Sequence, residues 1–195
     1  MDHHLRLFIA IDLPHDVKQL LHDLQAQLRR QTQAVRWSDP QGTHLTLKFL
    51  GGTRAALVPA IIEELERAAA GHRPFTLRTD ALGLFPNPKR PRVVWLGVTG
   101  DLAALEQVQA DVERRIAPLG FPTEQRRFSP HLTLGRSPKD PTPDALASMS
   151  RAVAQTSVLQ KIAFAVDQIV LMRSELRPEG ARYTPVAHAR LDASA

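Results

Sequence analysis

Apolar positions along the chain fall into two rhythms, and the first run sets the pattern. Leu5 to Asp12 (LRLFIAID) is rich in Phe and Ile and stops at Leu13-Pro14, which predicts a buried strand. From His15 to about Gln31 the apolar residues are Val17, Leu20, Leu21, Leu24 and Leu28, a 3.6-residue period that predicts an amphipathic helix. Val35 to Trp37 supplies a short strand, and Ser38 to Gly42 (SDPQG) is a turn by composition. His44 to Leu50 (HLTLKFL) begins as an alternating strand and is expected to break at Gly51-Gly52.

The second half repeats the alternation. A helix is predicted over Leu57 to Ala70, with Pro59 tolerated in its first turn, then a strand from Phe75 to Leu84. The basic, proline-rich turn Phe85 to Pro91 leads to a strand at Val93 to Val98. Leu102, Leu105, Val108, Val112 and Ile116 share one face of a helix over Leu102 to Ile116. A strand at His131 to Leu134, a helix at Thr142 to about Ser157, and two final strands at Ile162 to Arg173 and Tyr183 to Leu191 complete the reading, the last two separated by Pro178-Glu179-Gly180. Strands and helices mix without strict βαβ alternation, which favours an α+β fold with largely antiparallel sheets over a doubly wound parallel sheet.

One tetrapeptide occurs twice. His-Leu-Thr-Leu stands at 44–47 and again at 131–134, 87 positions on, each time in a predicted strand ahead of a helical segment. An internal duplication follows, with two similar lobes in one unit over residues 1–195. No linker or low-complexity stretch divides them, and Ser137 to Pro143 is short enough to be a loop. Strand alternation gives each motif two faces: His44 and Thr46 on one, Leu45 and Leu47 on the other, and likewise His131 and Thr133 against Leu132 and Leu134. At about 3.3 Å per residue, a His and a Thr on one face lie roughly 6–7 Å apart, within reach of a single phosphate.

Histidine, with an ordinary pKa near 6.5, serves as acid or base near neutrality. In-line attack at phosphorus needs a base for the entering oxygen and an acid for the departing one on the opposite side, so two facing histidines form a working pair. Threonine hydroxyls donate to the non-bridging oxygens, where charge builds in the transition state. One such strand alone reads as an ordinary solvated sheet face; the repetition makes the chemical reading.

Composition narrows the remaining classes. The chain has 195 residues, 43% of them hydrophobic, enough for a core without disulfide or metal staples. It contains no cysteine, which removes thiolate nucleophiles, disulfides and cysteine-ligated metal sites. Lys and Arg outnumber Asp and Glu by 25 to 20, for a net charge of +5, a balance that suits polyanionic partners. The apolar runs fall far short of the ~20 residues of a membrane span, and no signal-peptide pattern follows the charged start, so a cytoplasmic protein with no membrane association is expected. No G-x-x-x-x-G-K-[ST] loop is present to bind ATP, and Gly97 to Gly100 lacks the dinucleotide fingerprint. Asp2-His3-His4 has no partner motif, so neither metal nor cofactor is expected. His15, His22, His72 and His188 have no repeated setting and read as surface residues.

Five segments carry a resemblance to a known family: Arg6–Ile11 (RLFIAI), His44–Gly51 (HLTLKFLG), Arg92–Val98 (RVVWLGV), Pro130–Arg136 (PHLTLGR) and Leu171–Tyr183 (LMRSELRPEGARY). Together they resemble the two-histidine (2H) phosphoesterases, and within them the RNA 2′,3′-cyclic phosphodiesterases, also called 2′-5′ RNA ligases. The resemblance implies a bilobal α+β fold with a pseudo-twofold axis, the two motif strands lining a central cleft and the helices outside. It implies opening of a 2′,3′-cyclic phosphate at an RNA 3′ end to a 2′-phosphomonoester, without metal or ATP. By the same analogy His44 is the proton donor to the departing 3′-oxygen, His131 is the proton acceptor that activates water, and Thr46 and Thr133 hold the phosphate oxygens. Residue chemistry by itself leaves the order of the histidines open, because the two motifs are equivalent on paper.

Three further positions are expected to bind substrate. Lys48 shares the face of His44 and Thr46 if the strand is regular, while Phe49 then points to the core. Arg136, five residues past His131, falls on the opposite face unless Gly135 bends the strand, yet the resemblance favours it as a contact. Arg126, five residues before His131, is the weakest of the three, since a solvated charge explains it better. The implied partners are RNA 3′ ends bearing a cyclic phosphate, such as tRNA fragments, or nucleotides, bound by a monomer. Two other functions fit the same residues: 2′-5′ joining as the reverse reaction, and an RNA-end binding module without turnover.

Overall fold

The computed structural model describes residues 4–177 and 180–192. Strands β1 (His4–Asp12), β2 (Arg36–Trp37), β3 (His44–Arg54), β4 (Phe75–Phe85), β5 (Val93–Gly100), β6 (His131–Arg136), β7 (Ala163–Val166), β8 (Gln168–Arg177) and β9 (Gly180–Arg190) form one antiparallel sheet. Its order is β7-β4-β5-β6-β3-β1-β8-β9, with β2 added on β6. The helices are α1 (His15–Arg29), α2 (Val58–Ala69), α3 (Leu102–Ile116) and α4 (Pro143–Gln155).

The strand order explains the duplication. The succession β1-α1-β3-α2 in the first half matches β5-α3-β6-α4 in the second, and β3 and β6 meet at the centre of the sheet. Each half then gives its next long strands away. β4 follows α2 but pairs with β5, whereas β8 follows α4 but pairs with β1. Neither lobe completes its share of the sheet from its own half of the chain, so the antiparallel strands of both lobes join in one sheet, within the α+β fold expected.

Local chemistry accounts for the other departures from expectation. The expected strand Ile162–Arg173 is two strands, because the chain leaves one edge of the sheet at Asp167 and re-enters beside β1; the Asp167 carbonyl accepts the Leu191 N–H (2.8 Å). Gly51-Gly52 does not end β3. Register shifts between Leu7 and Phe8, which pair with Gly51 and Phe49 and leave Leu50 unpaired; Gly51 takes φ 67° and both glycines stay paired with β1, so the irregularity is a bulge at Leu50 within a continuing strand. α4 begins at Pro143 because the Thr142 hydroxyl accepts the Ala145 N–H and Pro143 needs no donor partner there. Pro178 and Glu179 of the expected final turn lie outside the described residues, as do Asp2 and His3.

The helices cover one face of the sheet. Val17, Leu21, Leu24 and Leu28 of α1 and Leu105, Val108, Val112 and Ile116 of α3 are buried in a core with Leu45, Leu47, Leu132 and Leu134. β1 is covered on both sides: Leu7, Ile9 and Ile11 join this core, while Phe8 and Ala10 pack with Val170 and Met172 on the other face. Burial on both faces is why its sequence reads as a continuous apolar run rather than an alternating one. At about 1.5–3 kcal/mol per buried large aliphatic side chain, the two Leu pairs of the motifs anchor the centre of the sheet and leave its other face to the polar residues of the motifs.

Candidate active site

The functional face is built around a single backbone pairing. β3 and β6 meet at Leu45 and Leu132, both fully buried, so His44, Thr46, His131 and Thr133 project to the opposite side. Extending this antiparallel register sets His44 opposite Thr133 and Thr46 opposite His131. The two histidines are thus diagonal neighbours, on the order of 7–8 Å apart at the backbone. All four line one cleft of about 860 Å³. Among the described residues its walls also carry Arg6, Arg136 and Arg182, against a single carboxylate, Asp39, giving it a positive field suited to phosphate.

The two histidines are held in the same way. His44 Nδ1 donates to the Gly42 carbonyl (2.9 Å) and His131 Nδ1 donates to the Ser129 carbonyl (2.7 Å), each two residues upstream. A carbonyl only accepts, so Nδ1 carries a proton in both rings and each Nε2 is left to give or take one. Aromatic rings fix the orientation. Phe8 stacks on His44 with centroids 4.4 Å apart and Tyr183 meets it edge-on at 5.0 Å. Phe85 meets His131 edge-on at 4.9 Å, and Trp95 stands 6.5 Å away. Phe8 and Trp95 are the same 87 positions apart as the histidines and sit on the neighbouring strands β1 and β5, so the duplication extends to the ring supports.

The electrostatic settings differ. Burial holds His44 below the ordinary histidine pKa, opposed by the Gly42 carbonyl and by the Asp12 carboxylate, while Lys18 adds to the lowering. Burial also lowers His131, again opposed by a carbonyl, from Ser129, but here the nearby charge is the Arg136 guanidinium, which lowers it further. His44 thus has the Asp12–Lys18 ion pair beside it, whereas the charge beside His131 is a base alone.

Strand irregularity decides the weaker positions. In β3 the register passes from Ala10↔Thr46 to Ile9↔Lys48, leaving Leu47 unpaired in a bulge. The bulge reverses the alternation and overturns the expectation for Lys48. Its side chain points into the core, where Nζ donates to Glu113 Oε2 (2.5 Å) and to the Pro122 carbonyl (2.9 Å). Phe49 takes the place expected of Lys48: it is 72% exposed and lines the cleft. β6 has the matching bulge at Leu134, between Trp95↔Thr133 and Val94↔Gly135, and it turns Arg136 into the cleft. Phe49 and Arg136 are thus counterparts, each five residues past its histidine. Arg126 is exposed on the loop before β6, is not among the cleft-lining residues, and its backbone N–H donates to Glu124 Oε1 (3.0 Å).

Several residues of the site were not picked out from sequence: Phe8, Trp37, Phe49, Tyr183 and the supporting Phe85 and Trp95. Tyr183 is the only tyrosine of the chain and closes the last of the five resembling segments, which was its one available signal. Among the other histidines, His72 is not a free surface residue, since its Nε2 pairs with Asp111 (2.8 Å). Among the described residues no helix is long and apolar enough to cross a membrane.

Residues 23–178 match the family model of the 2′-5′ RNA ligase superfamily. An RNA 2′,3′-cyclic phosphodiesterase of Methanothermobacter thermautotrophicus is 30% identical over 187 residues, which span 96% of this chain and 99% of that protein. Another, from Thermus thermophilus, is 32% identical over 185 residues, 92% of this chain and 87% of its own. The crystal structure of E. coli LigT complexed with 3′-AMP is similar at a TM-score of 0.74 and 27% identity, over 97% of this chain and 99% of that one. With its paired motifs on facing strands and its matched length, this chain belongs to the 2′-5′ RNA ligase superfamily, the two-histidine phosphoesterases.

Proposed function

We propose that this protein is an RNA 2′,3′-cyclic phosphodiesterase that opens a terminal cyclic phosphate to a 2′-phosphomonoester by histidine acid/base catalysis. The observation that carries the reading is the pair of histidines tied at Nδ1 to equivalent carbonyls, with both Nε2 atoms left for one cleft. His131 Nε2 takes a proton from water as its oxygen bonds to phosphorus. The P–O3′ bond breaks, and His44 Nε2 gives its proton to O3′. Thr46 and Thr133, each opposite the other motif's histidine, donate to the non-bridging oxygens, and Arg136 neutralises their charge.

The unequal charges around the two rings support this order. Asp12 favours the protonated form of His44, as a donor requires, and Arg136 favours the neutral form of His131, as an acceptor requires. Relatives named for RNA 2′,3′-cyclic phosphate support the substrate class, and 2′-5′ joining would follow the same steps with an RNA 5′-hydroxyl in place of water.

The test is mass analysis of a short oligonucleotide ending in a 2′,3′-cyclic phosphate, with end-specific digestion to locate the product phosphate. A gain of one water and a 2′-phosphate are expected, in the presence of EDTA as well. His44→Ala and His131→Ala should each lower turnover by about 10²–10⁴-fold. Full activity in the double variant, or a 3′-phosphate product, refutes the proposal.

A further inference from the structure

Two arginines stand face to face at one end of the cleft. β2 pairs with the last residues of β6 in the register Arg36↔Arg136 and Trp37↔Gly135. Residues directly opposite on an antiparallel ladder share a face, with Cα atoms about 5 Å apart. Both arginines are exposed, and neither side chain has an acidic or hydrogen-bonding partner among the described residues. Asp39, the one carboxylate in the cleft wall among the described residues, already accepts the Gln41 N–H (3.0 Å). Like charges directly opposite destabilise a ladder unless an anion lies between them. Arg136 belongs to the cleft wall, whereas Arg36 lies one strand outside it.

The positive rim continues past Arg136. Val93 pairs with it from the other side, and the adjoining Arg92, exposed, donates from Nη1 to the Lys139 carbonyl (3.1 Å). Arg92 is anchored, and Arg36 has no side-chain bond to lose among the described residues.

We infer that the guanidinium fork of Arg36, set beside Arg136, holds the phosphodiester on the 5′ side of the terminal nucleotide, so that this end of the cleft selects a polynucleotide over a mononucleotide. The inference rests on the proposed cyclic phosphodiesterase reading. A terminal cyclic phosphate between the histidines uses Arg136 from within the cleft. The next phosphate of an RNA chain is the nearest anion able to reach Arg36, and a planar guanidinium suits its two non-bridging oxygens. A nucleoside 2′,3′-cyclic monophosphate has no such second phosphate.

The experiment compares wild type with Arg36→Gln and Arg36→Lys on two substrates, a nucleoside 2′,3′-cyclic monophosphate and a short oligonucleotide with the same 3′ end. Arg36→Gln should raise KM for the oligonucleotide about tenfold with kcat unchanged, and leave the mononucleotide untouched. The slope of log kcat/KM against log salt for the oligonucleotide should fall in magnitude by about 0.7, the loss of one single-strand phosphate contact. Arg36→Lys keeps the charge without the fork and should lie between the two. Equal losses on both substrates, or none on either, overturn the inference while leaving the phosphodiesterase reading intact. If wild type turns over neither substrate, the phosphodiesterase reading fails instead. Fluorescence anisotropy of a 5′-labelled oligonucleotide then decides the fork: weaker, less salt-sensitive binding by Arg36→Gln supports it, and unchanged binding overturns it.

Discussion

Replacing Lys48 with methionine separates a structural lysine from a substrate-binding one. The ammonium is almost fully buried and lies 2.5 Å from Glu113 Oε2 and 2.9 Å from the Pro122 carbonyl. It ties the bulge of β3 to α3 and to the loop that leads into His131. Methionine fills a similar volume but leaves Glu113, 7% exposed, without its counter-charge. Breaking one side of a buried pair costs about 3–5 kcal/mol. Glu113 keeps weaker donors, Gln109 Nε2 at 3.3 Å and the Glu124 N–H at 3.2 Å, so the lower end, about 3 kcal/mol, is expected. For a chain of this size that lowers Tm by roughly 6–12 °C. Urea unfolding followed by tryptophan fluorescence measures it, with the m-value unchanged if only stability has altered. The double variant Lys48→Met, Glu113→Leu should recover most of the loss, because removing both charges leaves neither uncompensated. A single variant with wild-type stability and a raised KM for cyclic-phosphate RNA would refute the reasoning and restore Lys48 as a phosphate contact.

Three further predictions concern the site. Burial lowers both histidine pKa values, so the alkaline limb of kcat/KM, set by loss of the His44 proton, should begin below the ordinary histidine value of about 6.5. Asp12→Asn removes a charge that raises His44 and leaves Lys18, which lowers it, so that limb should move to lower pH; an unmoved limb assigns it to another group. Gly135→Ala would set a Cβ 2.5 Å from Val35 Cγ1 and 2.9 Å from the Arg36 carbonyl, contacts that must shift β2. A stability loss of about 1–3 kcal/mol in urea unfolding, with weaker oligonucleotide binding, is expected, and a variant indistinguishable from wild type would show that β2 is not packed as described.

The sequence by itself carried the candidate constellation of His44, Thr46, His131 and Thr133, because the chemistry of a phosphate needs residue types that a strand displays at period two, and the pattern is printed twice. Leu45 and Leu132 beneath the histidines, the helical faces of α1 and α3, and the both-sided burial of β1 were legible for the same reason: period and composition are local properties. Lys48, Phe49 and Arg136 were decided only in three dimensions. HLTLK fits an unbroken alternation, and nothing in those letters marks a bulge at Leu47, which exists because β1 pairs around it; the matching bulge at Leu134 depends on β5. The order of the two histidines also lay beyond the motifs, which are identical. Asp12 and Arg136, brought beside different rings by strand pairing and by that second bulge, make the two environments unequal. Partnership between distant strands is set by tertiary packing, and a one-residue slip in it exchanges the core face for the cleft face.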